Sequence, residues 1–126
     1  MFTPQKQLIK SFEKNLNNYA LWVEGKFFTY KELLNFAIKI ILLMRKKKSK
    51  IIAVLNNKDI YCYSSILSIF LDNKIYVPLN SKFSDKKNLD ILSISNADTI
   101  LSCDELLSKA IMFKKKLKKK RKYYYC

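Results

Sequence analysis

Few residues in this 126-residue chain combine the type and the spacing that chemistry requires. Asp104 and Glu105 form the only adjacent acidic pair, and negative charge there suits a helix N-terminus better than a metal site. Ser64 and Ser65 lie in a predicted helix without a base nearby in the sequence, which argues against a nucleophile. The chain contains no histidine, so histidine-ligated metals and triads with an imidazole base are excluded.

The three cysteines add no further chemistry. Cys62, Cys103 and Cys126 are scattered, odd in number and never spaced as C-x-x-C. This pattern predicts neither a disulfide framework nor a zinc site. We therefore assign no catalytic, cofactor-binding or metal-binding residue to this chain.

Charge is the most unusual property of the sequence. The formal net charge is +15, and residues 114–122 hold eight of the 25 basic residues. Such a run, Lys114–Lys122, can attach to nucleic acid or anionic lipid by electrostatics, and Tyr123–Tyr125 could stack on single-stranded bases. The alternative is a translated accident of an adenine-rich tract, because like charges repel and a lysine run is typically solvated and disordered.

Nothing in the sequence predicts membrane insertion or export. A spanning helix needs roughly 20 apolar residues, and both longer apolar stretches, 40–44 and 60–71, are too short or contain polar residues. The start, Met1-Phe2-Thr3-Pro4, lacks the charged and apolar regions of a signal peptide. We expect a cytoplasmic protein.

The first half of the chain carries clear start and turn signals. Thr3 before Pro4 begins a helix, since proline is tolerated at the first helical position. Thr29 and Glu32 have the spacing of a capping box. The predicted elements are a helix over 4–16, strands over 19–24 and 27–29 joined by the hairpin turn Glu24-Gly25-Lys26, and a helix over 30–44.

The stretch from Ile51 to Leu101 alternates strands with helices. Ile51–Leu55 and Ile75–Leu79 are continuous apolar runs, as in strands buried on both faces of a parallel sheet. Pro78 lacks an N–H and predicts a strand end or an unpaired edge. The predicted helices are 59–71, with Ile60, Tyr63, Ile66, Leu67 and Phe70 facing inward, and 85–95, capped by Ser84; a third strand covers 99–101.

The pattern predicts an α/β fold with a small, mainly parallel sheet flanked by helices, an N-terminal hairpin and a basic C-terminal tail. A second capping box, Ser102-x-x-Glu105, predicts a last helix containing Leu106, Leu107, Ala110 and Ile111. We divide the chain into a folded part, residues 1–112, and a basic low-complexity tail, residues 113–126.

Two stretches resemble the adenylate-forming ligases, the AMP-binding superfamily of acyl-CoA synthetases, luciferase and non-ribosomal peptide synthetase adenylation domains. Phe28-Thr29-Tyr30-Lys31-Glu32-Leu33 is similar to an early Leu/Phe-Thr-Tyr-x-Glu-Leu motif of that family. Residues 66–69 through Tyr76-Val77-Pro78-Leu79-Asn80 resemble its Ala-Ile-Leu-Lys-Ala-Gly-x-x-Tyr-Val-Pro-Leu-Asp segment. The sequence Tyr76-Val77-Pro78-Leu79 most resembles the sequences of the branch of the family that activates amino acids. The resemblance covers roughly residues 12–102 and implies the N-terminal portion of the ligase large domain.

The sequence departs from the family pattern at three points. The family's glycine falls at Asn73, its Asp-Pro falls at Asn80-Ser81, and its proline before the next helix falls at Ser84. Asn73 can keep the turn, because asparagine tolerates a left-handed backbone better than most residues.

The family's ATP chemistry has no counterpart in this chain. Its Ser/Thr/Gly-rich phosphate loop ending in Pro-Lys-Gly and its C-terminal catalytic lysine both lie well downstream of the matching region, and this chain contains one glycine. The resemblance therefore implies a truncated N-terminal piece of an AMP-dependent ligase, a class that uses ATP and Mg. We expect the piece to be inactive alone and to need no cofactor itself. The alternatives are a non-catalytic subunit of a split ligase and a small basic module that binds nucleic acid or anionic membrane.

Overall fold

A three-layer α/β unit with a small hairpin at one end forms the body of the protein. The computed structural model describes residues 3–55, 57–117 and 122–125, the last four by their backbone. The helices are α1 Pro4–Lys14, α2 Tyr30–Lys46, α3 Ile60–Leu71, α4 Asp85–Ser95 and α5 Leu107–Lys116. The strands are β1 Tyr19–Val23, β2 Lys26–Thr29, β3 Ile51–Leu55, β4 Ile75–Leu79, β5 Thr99–Ser102 and β6 Lys122–Tyr125.

The central sheet has the order β4-β3-β5-β6, and the pairs β3–β4, β3–β5 and β5–β6 are all parallel. Ile40 and Met44 of α2 and Ile69 of α3 cover one face. Leu92 of α4 and Phe113 of α5 cover the other. The predicted α/β class, the parallel sheet and the N-terminal antiparallel hairpin are confirmed.

The caps act as the sequence predicts. Thr29 Oγ1 accepts from the Glu32 N–H at 3.1 Å, and Glu32 Oε1 accepts from the Thr29 N–H at 3.1 Å, which completes the capping box. Ser84 caps α4 by accepting from the Lys87 N–H at 3.2 Å. Asn73 takes the left-handed conformation, with φ of 56°, so the turn before β4 keeps the geometry that glycine would favour.

The burial of α3 differs from the prediction. Tyr63 and Phe70 were predicted to face inward, but 36% and 43% of their surfaces are exposed. The side chains buried instead include Ser64, Ser65 and Ser68. Two of the serine hydroxyls bond within their own helix, since Ser64 Oγ donates to the Ile60 carbonyl and Ser68 Oγ donates to the Ser65 carbonyl, both at 2.7 Å.

The prediction of a second capping box at Ser102 and Glu105 is wrong. Ser102 belongs to β5 and is 1% exposed, and the following 3₁₀ turn, Asp104–Leu106, has no side-chain cap. Within the described part of the chain, Ser102 Oγ has no hydrogen-bond partner. The β5 backbone continues one residue beyond the predicted strand end, since pairing of Leu55 with Ser102 extends the ladder.

The end of the chain is more regular than the sequence predicts. Helix α5 crosses the proposed boundary at residue 112, and Phe113 is fully buried in the core. The backbone of Lys122–Tyr125 pairs with β5 as the fourth strand. Residues 118–121 of the predicted basic tail, and Cys126, lie outside the described residues. The division into two parts stays a prediction.

Strand β4 is the described edge of the sheet on the side opposite β6. The Ile75 N–H donates to the Lys50 carbonyl at 3.0 Å, so Ile75, Val77 and Leu79 direct their backbone groups towards β3. Tyr76 and Pro78 then direct theirs outward. Pro78 thus occupies an unpaired edge position, where a missing N–H costs no ladder bond.

Candidate functional site

The carboxyl ends of the parallel strands form the candidate site. The chain leaves β3 in one direction to form β4 and then crosses back to form β5 on the other side of β3. In open α/β sheets, ligands bind beyond the carboxyl ends of the strands at such a switch point. The segments that follow β3 and β5 therefore have the position that the fold favours for binding.

A cavity of about 400 Å³, the switch-point cavity, lies there. The hairpin supplies one wall, the start of α3 a second, and the segment after β5 a third. Its lining residues are Val23, Glu24, Lys26, Phe28, Asn57, Asp59, Ile60, Tyr61, Cys103, Asp104 and Glu105.

The switch-point cavity is acidic although the chain is strongly basic. Among the described lining residues, Glu24, Asp59, Asp104 and Glu105 face one cation, Lys26, whose Nζ lies 5.0 Å from the centre of the Phe28 ring. Asp59 is committed to capping α3, since its Oδ1 accepts from the Cys62 N–H at 2.9 Å. No group of three or more candidate metal ligands is assembled in the described ranges. Because carboxylates outnumber cations among its described lining residues, the cavity disfavours the binding of anions.

A second cavity, of about 460 Å³, lies beyond the ends of β3 and β4. Its lining residues are Asn57, Lys58, Cys62, Leu79, Asn80, Ser81 and Lys82. Two lysines and no carboxylate line it, so its charge is opposite to that of the switch-point cavity. Burial, reinforced by the nearby Asp59 carboxylate, raises the pKa of the Cys62 thiol, which keeps the thiol protonated and weakly nucleophilic.

Asn88 holds the loop that borders this second cavity. Its side chain is fully buried, its Nδ2 donates to the Asn80 carbonyl at 2.9 Å, and its Oδ1 accepts from the Asn80 N–H at 3.3 Å. No motif in the sequence predicted a role for Asn88. Its burial could have been predicted, because Asn88 lies four residues before the buried Leu92 and thus on the inward face of α4.

The residues that first suggested chemistry do not come together. Ser64 and Ser65 are fully buried, so neither is accessible to a substrate. Asp104 and Glu105 line the switch-point cavity and are exposed on the 3₁₀ turn. Cys62 is a free thiol, Cys103 is buried, and Cys126 lies outside the described residues. None of the described helices is long and apolar enough to cross a membrane.

Comparison with protein-family models and with curated proteins finds no match for this chain. Solved structures do match. The adenylation domain AlmE of Vibrio cholerae, solved in complex with glycyl-adenosine-5'-phosphate, superposes with a TM-score of 0.87 at 21% sequence identity. The match covers 99% of this chain and 24% of AlmE.

Two further structures show the same fold. A benzoate CoA ligase from Burkholderia xenovorans LB400 matches with a TM-score of 0.84 and 14% identity, over 100% of this chain and 26% of the ligase. A natural red emitting luciferase from Phrixothrix hirtus also gives 0.84, with 12% identity, over 96% of this chain and 30% of the luciferase. The chain thus spans 24% to 30% of the length of these three proteins. Its resemblance to AMP-forming ligases is confirmed at the level of the fold.

Proposed function

We propose that this chain is the N-terminal structural unit of an AMP-forming acid ligase, and that it is inactive on its own. Ligases of this class join ATP and a carboxylic or amino acid into an acyl-adenylate. The superposition of nearly the whole chain on the AlmE adenylation domain carries this proposal. The Tyr76-Val77-Pro78-Leu79 sequence favours an amino acid as the substrate of the complete enzyme.

The residues present do not fit ATP. Phosphate groups need backbone N–H donors from a glycine-rich loop together with positive charge. The chain has a single glycine, Gly25, in the hairpin turn. The switch-point cavity presents carboxylates that would repel a triphosphate, and the second cavity offers Lys58 and Lys82 without a glycine-rich loop. We therefore assign no step of adenylation to this chain.

The proposed role is to build and hold the first strands of the ligase sheet. The Asn80–Asn88 clamp and the cap at Asp59 fix the loops at the carboxyl end of that sheet. A scaffold needs this rigidity because reacting groups supplied from elsewhere must be positioned to within a fraction of an ångström. Whether the remainder is encoded in the same reading frame or separately, the unit would serve in the same way.

Two measurements test the proposal. Resequencing the gene through the lysine run and several hundred codons beyond, with translation in three frames, should show a Ser/Thr/Gly-rich loop ending in Pro-Lys-Gly. The absence of such a loop from every frame would count against a ligase origin only if the chain also formed no complex with a separately encoded polypeptide that carries the loop. The purified chain should also catalyse no ATP–pyrophosphate exchange with a panel of amino, aryl and aliphatic acids. Exchange above the buffer control would disprove inactivity.

A second candidate function rests on the run Lys114–Lys122, with eight basic residues among nine. We propose that this run could bind nucleic acid or anionic lipid without sequence specificity, with an affinity that falls steeply as salt rises. Retention on DNA or on vesicles containing phosphatidylserine should then disappear when residues 114–126 are removed. Equal retention of the shortened chain would rule out the run as the binding element.

A further inference from the structure

The hairpin β1–β2 is apolar on both faces. Leu21, Val23 and Phe28 face inward and pack on the helices. Tyr19, Trp22 and Phe27 face outward and are 67%, 65% and 54% exposed. Sheets that face water on one side alternate apolar with polar residues, whereas strands covered on both sides are apolar throughout. The hairpin has the pattern of a sheet covered on both sides.

The three outward side chains form one continuous surface, which we call the hairpin aromatic face. The rings of Tyr19 and Phe27 stack with centroids 4.6 Å apart and planes at 22°. Trp22 and Phe27 are direct partners across the two strands. Apolar patches of a few hundred Å² on an otherwise folded surface are characteristic of interaction sites.

The charge of the hairpin favours a protein partner over a nucleic acid. Its charged side chains, Glu24 and Lys26, both line the switch-point cavity, on the inner side. The hairpin's own strands thus place no cation beside the aromatic rings to contact a phosphate backbone, although single-strand binding sites combine stacking rings with positive charge.

The area favours a partner that extends beyond this face over a second copy of the chain. Three aromatic side chains at this exposure present roughly 400 Å². A stable interface buries about 800 Å² on each partner. The proteins that this chain matches are three to four times its length, so in them much of this unit's surface can lie against further polypeptide.

We infer that the hairpin aromatic face is a docking surface for the remainder of an AMP-forming ligase domain. This inference rests on the proposed function and adds the surface through which the unit joins the rest of the enzyme. The same hairpin walls the switch-point cavity with its inner face, so docking would fix the wall as it covers the rings.

The probe for the test is the downstream polypeptide that carries the Ser/Thr/Gly-rich loop ending in Pro-Lys-Gly, expressed separately. Its dissociation constant is measured by calorimetry against the full chain, Trp22→Glu, Trp22→Phe and Ile94→Glu. Ile94 is a matched control because it is apolar, 85% exposed and located on α4. Circular dichroism and thermal unfolding establish that each variant is folded.

Binding by the wild type, Trp22→Phe and Ile94→Glu, with at least about 30-fold weaker binding by Trp22→Glu, is the expected result for a central aromatic contact. Equal binding by Trp22→Glu would overturn the docking surface and leave the proposed function intact. If neither a downstream frame nor a separate gene of the same genome encodes the probe, the proposed function fails and the inference fails with it. Self-association, or binding of an oligothymidylate, that Trp22→Glu abolishes would show that a different occupant covers the face.

Discussion

The two ends of the parallel sheet are built differently. At the amino end, Asp98 Oδ2 accepts from the backbone N–H groups of Lys50 and Ile51 at 3.0 and 3.1 Å. Its Oδ1 accepts from Thr99 Oγ1 at 2.7 Å, and Thr99 Oγ1 lies 2.7 Å from Ser49 Oγ. A hydroxyl has one proton, so Thr99 donates to the carboxylate and accepts from Ser49. Ser49 and Thr99 are buried, and their hydroxyls are both satisfied within this network.

The carboxyl end is open by comparison. It holds both cavities and the exposed side chains of Asp104, Glu105 and Lys82. Ser102 Oγ, at the end of β5, lacks a partner among the residues described. The amino end of the sheet is therefore held by a network of hydrogen bonds, whereas the carboxyl end is open and lined by polar and charged side chains.

Substitution of Asp98 is the most direct test of the difference between the two ends of the sheet. Asp98→Ala removes a charged acceptor from two backbone N–H groups and leaves Ser49 and Thr99 without their anchor. We expect a loss of about 3 kcal/mol in the free energy of unfolding, measured by urea titration. Asp90→Asn is the control, since Asp90 pairs only with the exposed Lys86 at 3.8 Å, and it should change stability by less than about 0.5 kcal/mol. Equal effects would mean that the amino end is not the stabilising end.

Deletion of residues 118–126 removes β6, the outer neighbour of β5. It tests whether the amino-end network is sufficient to hold β5 in place. All four residues of β5 are buried, and β6 pairs along their full length. We expect the deletion to lower the free energy of unfolding by about 2 kcal/mol, because it exposes the β5 edge. Serine at Lys118, Lys119 and Lys120 is the control, and it should leave stability near that of the wild type. If the deletion left the free energy of unfolding unchanged, β6 would contribute nothing to stability.

Asn88→Ala probes the carboxyl end. The clamp on Asn80 is lost, but water can reach the exposed Asn80 and replace part of what is missing. We therefore expect a smaller loss, about 1 kcal/mol, together with faster amide hydrogen exchange over residues 80–84. Asn17→Ala, at an exposed position, is the control. A loss as large as that of Asp98→Ala would remove the contrast between the two ends.

The smallest expected effect is on pH dependence. Burial raises the pKa of the Cys62 thiol above its ordinary value of 9.0 and that of the Tyr76 phenol above 10.0. Both groups are neutral when protonated, so their contribution is complete below the unfolded pKa and is lost as pH rises through the folded one. The urea midpoint should therefore fall above about pH 9, and less so in Cys62→Ser. A midpoint that rises over this range would contradict the burial of these groups.

Local signals in the sequence predicted most of the fold. Thr29, Glu32 and Ser84 fix helix starts within a few residues, and continuous apolar runs mark β3 and β4. The order of strands is set by contacts between distant residues, so the alternation of elements alone could not give it. The prediction for Tyr63 and Phe70 is wrong because apolar periodicity cannot register that the buried side of α3 is formed in part by serines.

The candidate site was less predictable than the fold. Its lining comes from the hairpin, from the start of α3 and from the segment after β5, and no local pattern joins residues so far apart. The structural roles of Asp98 and Asn88 were not predicted either. A polar residue is expected at the surface unless its hydrogen-bond partners in the fold are known. The sequence predicts a helix N-terminus at Asp104 and Glu105, and the structure places both residues in the uncapped 3₁₀ turn that precedes α5.

Pro78 carries a consequence for how the protein behaves in a crowded solution. Ile75 and Tyr76 expose apolar surface on the outermost strand, a composition that normally invites molecules to stack edge to edge into fibrils. With Pro78 at an outward position, β4 offers an incoming strand only the Tyr76 N–H as a donor. A neighbouring molecule could form one such bond but could not zip along the edge. Pro78 thus weakens edge-to-edge pairing along β4, because it removes one of the two outward N–H donors of this strand.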